Sequence, residues 1–341
     1  MLTPPQSALL RETLAAAQNP LFFLDDDADG LASFLLLYRM HRRGRYMLLK
    51  TSPKLDAPFA RKVEEWNPDT ILVLDVPIVE QEFIDLAKRP IFWIDHHQPL
   101  DLQNIHYFNP RLKDPEAYVP TTYMAWQVSQ NPADLWIAVT GCLADYYMPD
   151  CIDQFIERYP DLLSKKTDLP TALFHEPVGQ LVKLFFFLLK GPTAEVRKSI
   201  QVLMKIQSPD EIMKQQTPAG KFLYRRFEMI NKKYEVLLEK ATTAVTEGKI
   251  LLFHYTEEHW SFTANLANEL VALYPEKVII ICREKSGEMK CSLRARFPIL
   301  PALQKALVGL KGYGGGHANA CGAVIKKEEW ELFLERFEEA I

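Results

Sequence analysis

Residues 20–30 read PLFFLDDDADG, an apolar run that ends in three consecutive aspartates, followed by Asp29 and a glycine. The run has the length and composition of a buried strand. LASFLLLYRMHRRGR comes next, apolar at first and closing on Arg42, Arg43 and Arg45, where cations suit the end of a helix. Outward from this strand–helix pair the pattern repeats. YMLLK (46–50), TILVLDV (70–76) and PIFWID (90–95) read as strands, with helices at PFARKVEEW (58–66) and VEQEFIDLAK (79–88). Strands alternating with helices at this spacing argue for a parallel sheet covered by helices on both faces. Ligands of such sheets sit at the carboxyl ends of the strands. Three of these strands end in aspartate, at Asp25, Asp75 and Asp95.

The chain has 341 residues, enough for two domains. Hydrophobic residues make up 48%, charged residues 25%, and the net charge is −4. That balance excludes a strongly basic protein that coats nucleic acid, though not a local basic groove. Five cysteines fall into no Cys-x-x-Cys pair, against a zinc ribbon and against a secreted disulfide framework. The first twenty residues, MLTPPQSALLRETLAAAQNP, lack a basic-then-apolar signal. The most apolar stretch, LVKLFFFLLK, is about half the length of a membrane span. The expectation is a cytoplasmic protein with no membrane partner.

TTYMAWQVS (121–129) reads as a helix and LWIAVTGCLAD (135–145) as a further apolar run. Helical patterns then dominate to about residue 247. Strands return in KILLFHY (249–255), KVIIICRE (277–284) and EMKCSLRARF (288–297), with a hairpin turn at Ser286-Gly287 and a closing amphipathic helix. The fold class expected is α/β. It comprises a parallel-sheet catalytic domain over 1–165, a helical connector over 166–247 and a smaller α/β substrate-binding domain over 248–341.

The acids carry the chemistry. Asp25, Asp27 and Asp29 can point toward one site if the backbone stays roughly extended. Like charges so close need a counter-charge, which a divalent metal supplies, and carboxylates suit magnesium or manganese. A calcium loop fails, because the twelfth position is Leu36 and a strand precedes the acids. WIDHHQ adds Asp95, His96 and His97. Imidazole is a good manganese ligand, and an adjacent carboxylate can orient its other ring nitrogen. Asp145 is the next acid expected beside the same crevice. Trp93, just before these histidines, reads as core. In KGYGGGHANACG (311–322) the glycines let backbone amides approach a phosphate, and SLRAR (292–296) supplies Arg294 and Arg296. A flexible turn is the competing reading. Neither a dinucleotide fingerprint nor a P-loop fits.

Five motifs in order, LDDDADG (24–30), LDV (74–76), IDHH (94–97), GCLAD (141–145) and GGGHANACG (314–322), resemble those of the DHH phosphoesterase superfamily. The first four resemble its catalytic domain, and the last, with SLRAR, its DHH-associated domain. The likeness covers nearly the whole chain except the connector. The Asp-x-Asp-x-Asp-Gly form is similar to RecJ-type nucleases, and small oligonucleotide-degrading members share the two-domain design. The resemblance implies two divalent cations, manganese with magnesium open, held by Asp25, Asp27, Asp29, Asp75, His96 and Asp145, with Asp75 bridging. Asp95 would support the centre, and His97 would contact the scissile phosphate or protonate the leaving oxygen. Arg294, Gly315, Gly316 and His317 would hold the far part of the substrate.

The function so implied is two-metal phosphodiester hydrolysis, as an exonuclease on single-stranded DNA or short RNA oligonucleotides. The further strand-binding domains of RecJ proper are not found in this sequence, so processivity on long strands is not expected. Two alternatives stay open: a phosphatase or phosphodiesterase for bisphosphate nucleotides or cyclic dinucleotides, and a non-catalytic replication or repair scaffold. Family II pyrophosphatase is a weaker rival, since its second domain lacks the GGGH cluster. A replication or repair protein partner and a homodimer through the connector also stay open. Arg39, Arg42, Arg43, Lys285, Lys290 and Arg296 are candidates for backbone contacts or for a solvated face.

Overall fold

The computed structural model describes residues 1–50, 54–256 and 259–341. The chain forms two compact units, Met1–Leu189 with Ala194–Arg225, and Lys190–Thr193 with Arg226–Ile341.

In the first unit the elements run α1 (Pro4–Ala16), β1 (Leu21–Asp25), α2 (Ala28–His41), β2 (Arg45–Leu49), β3 (Lys54–Leu55), α3 (Ala60–Trp66), β4 (Ile71–Leu74), β5 (Ile78–Val79), α4 (Gln81–Ala87), β6 (Ile91–Ile94), β7 (His106–Phe108), α5 (Thr121–Ser129) and α6 (Leu135–Ala144). Five strands form one parallel sheet in the order β2-β1-β4-β6-β7, and β3 and β5 pair separately. The three strands that lead into aspartate are therefore consecutive neighbours at the centre. Except for Asp25 their residues are buried without alternation, as expected of a sheet covered on both faces. On one face Leu21, Phe23, Val73 and Trp93 pack with Val63 of α3 and Phe83 of α4. On the other, Phe22 meets Phe34 of α2 edge-on at 5.3 Å. Trp93 is fully buried, stacks on Tyr107 at 3.9 Å, and donates its indole N–H to the Val76 carbonyl.

Helix α2 packs against α5 and α6. Arg39, a candidate for backbone contacts on sequence, is instead committed inside the fold. Its side chain is 2% exposed, pairs with Asp134 at 2.6 Å and donates to the Ile206 carbonyl.

The helical stretch continues with α7 (Ile152–Arg158), α8 (Leu169–Phe174), α9 (Pro177–Leu188), α10 (Thr193–Leu203), α11 (Pro209–Met213) and α12 (Pro218–Thr243). Its LFFFLL run is not a free surface. Leu184, Phe185, Phe187 and Leu188 of α9 are buried, and Phe185 meets Trp136 of α6 edge-on. The boundary between the two units falls within α12, after Arg225. Among the described residues no helix is long and apolar enough to cross a membrane.

The second unit contains β8 (Ile250–Thr256), α13 (Thr263–Leu273), β9 (Val278–Lys285), β10 (Glu288–Arg294), α14 (Leu300–Leu307), β11 (Gly312–His317), β12 (Ala320–Lys326) and α15 (Trp330–Glu338). Its mixed sheet has the order β11-β12-β10-β9-β8, with β8 and β9 parallel and the other pairs antiparallel. One face carries Ile280, Leu293 and Ile325 against α14 and α15, where Leu303 and Phe333 complete the core. Ser286 and Gly287, both at positive φ, turn β9 into β10. The spacing of the cysteines shows no pairing, yet Cys282 and Cys291 form a disulfide, because the hairpin register sets them directly opposite each other. It is a single cross-strand bond rather than a framework, and Cys142, Cys151 and Cys321 are free and buried.

Candidate metal centre

Asp25 is the last residue of β1, and its Oδ1 accepts the Asp26 amide at 2.8 Å. The backbone then turns into α2 instead of staying extended. Asp27 becomes the helix N-cap, accepting the Gly30 amide at 2.9 Å, and Asp29 lies in the first turn with 1% exposure. The expected convergence of these acids thus runs through a strand end, a cap and a helical turn. Asp75 follows β4 in the left-handed region, φ 62°, and is buried. Its amide donates to the Ile94 carbonyl, as that of Asp95 does to Phe108, so both residues extend the sheet's ladder.

His96 sits among these carboxylates. Its Nε2 is 3.3 Å from Asp75 Oδ1 and 4.0 Å from Asp29 Oδ2, and its Nδ1 is 3.6 Å from Asp145 Oδ2. That Nδ1 is buried without a hydrogen-bond partner. Two sets of side chains, Asp75–His96–His97 and Asp29–His96–Asp145, each bring their ligand atoms within 4.8 Å of one another. The charge of Asp27 acts on both Asp75 and Asp25, which joins it to the cluster. Asp25 is tied in through the charges of Asp27 and His97.

The electrostatics are those of crowded, buried acids. Burial, reinforced by Asp27, pushes the Asp25 carboxyl up to about 7. Burial and the charge of Asp29 raise Asp27, and burial with Asp29 and Asp27 holds Asp75 and Asp145 well above the usual range. Burial lowers His96. At His97 burial opposes the charge, but the Asp95 hydrogen bond and the charges of Asp95, Asp27 and Asp25 outweigh it and raise the pKa. His97 Nδ1 lies 2.7 Å from Asp95 Oδ1, which leaves Nε2 as the free ring nitrogen. Asp95 is fully buried and also accepts from the His97 amide, Tyr107 Oη and Asn109 Nδ2.

Several residues that touch the acids were not singled out by sequence. Tyr107 and Asn109 surround Asp95, Tyr118 reaches Asp145, and Thr121 and Thr122 reach Asp29. They carry no charge and form no motif, so only their contacts reveal them. Among the described residues no lysine or arginine pairs with Asp25, Asp27, Asp29, Asp75 or Asp145. Carboxylate oxygens and imidazole nitrogens gathered without a basic partner, one ring nitrogen unsatisfied, fit a hard divalent cation such as manganese or magnesium.

Arg294, Gly315, Gly316 and His317 lie in the second unit. Arg294, at the end of β10, donates from Nε to Asn268 Oδ1 at 2.6 Å and from Nη1 to the Cys321 carbonyl. The glycine run is neither a nest nor a flexible turn. It is β11, an edge strand paired with β12. Gly316 has φ 131°, and a Cβ there would meet the Ala320 carbonyl oxygen at 2.5 Å.

Two family domains match this arrangement. The DHH family N-terminal domain matches residues 21–147, and the DHHA1 domain matches residues 248–341. The chain belongs to the DHH family. Its C-terminal part is the DHHA1 domain that accompanies DHH, and the family is one of metal-dependent phosphoesterases. No curated protein matches the chain. Among solved structures, this DHH chain is similar to RecJ in complex with Mn2+ from Thermus thermophilus, with a TM-score of 0.70 and 18% identity, covering 98% of this chain and 53% of that one. It therefore spans about half the length of the Thermus protein. An exonuclease RecJ bound to manganese has a TM-score of 0.61 and 16% identity, over 98% and 92% of the two chains. The DHH domain of a member of a ribosomal-protein family has a TM-score of 0.66 and 13% identity, over 98% and 88%. At these identities the likeness is one of fold.

Proposed function

We propose that the protein is a divalent-metal-dependent exonuclease acting on single-stranded DNA or short RNA oligonucleotides. The observation that carries this reading is the convergence of Asp27, Asp29, Asp75, His96, His97 and Asp145 at the carboxyl edge of a parallel sheet, where among the described residues no lysine or arginine pairs with the acids. Asp25, Asp27, Asp29, Asp75, His96 and Asp145 would hold two ions, manganese or magnesium. Bound there, such ions activate water and stabilise the attacking and leaving oxygens of a phosphodiester. In its protonated form His97, with Nδ1 on Asp95 and Nε2 free, offers an N–H that can bind a phosphate oxygen or serve the leaving group. Asp95 keeps that ring oriented.

An oligonucleotide substrate is supported by the second unit. Strand register sets Gly315 opposite Gly322, and Gly322 opposite Ser292, on the sheet face that also carries Tyr313, His317, Lys290 and Arg294. A Cβ at Gly315 would meet nothing within 4 Å, and one at Gly322 only a carbonyl oxygen at 3.9 Å. Packing therefore does not require glycine at either place, although glycine in a strand costs about 0.5–1 kcal/mol. Such positions suit a ligand backbone that lies against the sheet. Tyr313, 71% exposed beside them, offers a surface on which a base can stack.

The test is degradation of single-stranded DNA and RNA labelled at either end, with manganese, with magnesium and with chelator, alongside bisphosphate nucleotides and cyclic dinucleotides. A ladder growing from one end only, abolished by chelator and lowered about 10³-fold or more by His96→Ala or Asp27→Asn, is expected. Full activity in chelator would overturn the metal reading. Hydrolysis confined to the small nucleotides would replace the exonuclease with a nucleotide phosphodiesterase.

A further inference from the structure

The five residues Tyr118-Val119-Pro120-Thr121-Thr122 enter helix α5, and they touch three acids of the candidate metal centre that come from three different elements. The Tyr118 hydroxyl donates to the Asp145 carbonyl oxygen at 2.6 Å and to its Oδ2 at 3.0 Å. The Thr121 hydroxyl donates to Asp75 Oδ1 at 3.0 Å, the same oxygen that lies 3.3 Å from His96 Nε2. The amides of Thr121 and Thr122 donate to the two oxygens of Asp29 at 2.9 and 2.7 Å. Asp29 comes from the first turn of α2, Asp75 from the end of β4 and Asp145 from the end of α6. Pro120 is the N-cap of α5, so Thr121 and Thr122 are the first residues of the helix, where amides have no partner within it.

These contacts answer a specific difficulty. Three carboxylates of like charge, Asp29 and Asp75 buried and Asp145 partly so, repel one another and would splay apart in the absence of an ion. Neutral donors hold them in place without cancelling the charge that attracts the cation, and each oxygen keeps acceptor capacity for it. A lysine in the same position would hold them too, but would take the cation's place.

We infer that Tyr118 and Thr121 are positioning residues of the metal centre, whose hydroxyls aim Asp145 and Asp75 before an ion binds and thereby set how tightly it is held. The inference rests on the reading of these acids as metal ligands. Partners of this kind around metal ligands change affinity by about 10- to 100-fold when removed. Tyr118 makes the cleaner probe. It is 47% exposed and its ring meets His96 edge-on at 5.7 Å, so Tyr118→Phe removes the hydroxyl and keeps the ring contact. Thr121 is fully buried, so its replacements must separate hydroxyl from shape. Thr121→Val keeps the shape and loses the donor; Thr121→Ser keeps the donor.

The experiment is a manganese titration of the full chain, followed by electron paramagnetic resonance of free and bound Mn2+ and paired with thermal melts in chelator. Tyr118→Phe and Thr121→Val are expected to weaken binding about tenfold or more. Thr121→Ser is expected to stay close to the parent protein, and saturating manganese to restore the turnover of Tyr118→Phe. Unchanged manganese affinity in Tyr118→Phe, or in a folded Thr121→Val whose melting temperature alone has dropped, would overturn the inference and leave the hydroxyls a purely structural role. Should Thr121→Val not fold, Tyr118→Phe decides alone. Failure of the parent protein to bind Mn2+ at all would instead remove the metal reading on which the inference stands.

Discussion

Asp25 brings out the cost of the site at the level of a single residue. Its carboxyl is pushed up to about 7 by burial and by Asp27, against an ordinary value of 3.8. In metal-free protein the folded state therefore holds a proton over a pH range where the unfolded chain has already released it. Stability must then fall as pH rises from about 4, where the unfolded carboxyl ionises, to about 7, where the folded one does. Asp27, Asp75 and Asp145 are shifted in the same direction and add to the slope. Denaturant midpoints in chelator should accordingly be lower at pH 8 than at pH 5, and Asp25→Asn should flatten part of that difference. Manganese should raise the midpoint more at pH 8, because binding displaces protons and is favoured where they are already gone. A midpoint that climbs with pH in chelator would mean that these carboxyls are not crowded as the geometry places them.

Helices α2, α5 and α6 meet at Gly141, and that junction decides where the carboxylates sit. A Cβ at Gly141 would lie 2.3 Å from Thr122 Oγ1 and 2.5 Å from the Ala32 Cβ, so α6 approaches both neighbours only because no side chain intervenes. Gly141→Ala is expected to cost about 1–3 kcal/mol by overpacking. It should also shrink the rise in melting temperature that manganese produces, since Thr122 carries the amide bonded to Asp29. A melting temperature unchanged from the parent would show that the helices part without penalty. How far such elements could be read from sequence depended on how local their cause is. β1, β4 and β6 were legible, because each is a short apolar run closing on an acid and the sheet makes the three adjacent. α6 read only as an apolar run, because it is buried on every side and shows no helical alternation. β11 was hidden behind its glycines, whose strand conformation is imposed by pairing with β12 rather than by propensity. The acids and histidines of the centre could be named from their motifs. Tyr118, Thr121 and Asn109 could not, because neutral side chains acquire their meaning only from what they touch.

Across the whole molecule the proposed work is divided between two units of different build. The first places charge at the edge of a parallel sheet. The second presents a mixed sheet packed on one face by α14 and α15 and on the other, over β9 and β10, by α13, while at its β11–β12 edge the latter face is floored by the backbone of Gly315 and Gly322. If the second unit holds the substrate chain and the first carries the hydrolytic chemistry, the two contributions must separate in kinetics. Gly315→Ala is the appropriate variant. The added methyl meets nothing within 4 Å, so it should leave the melting temperature unchanged or raise it by the equivalent of about 0.5–1 kcal/mol. The same methyl would stand between a bound oligonucleotide and the strand. The KM for an oligonucleotide should therefore rise about tenfold, a loss of ~1.4 kcal/mol of binding. Hydrolysis of a small activated diester such as bis(p-nitrophenyl) phosphate, which has no chain to lay along the sheet, should proceed as before. Parallel loss of both activities would place Gly315 in the chemistry instead of in substrate binding, and a lowered melting temperature would mean that the fold itself needs the glycine.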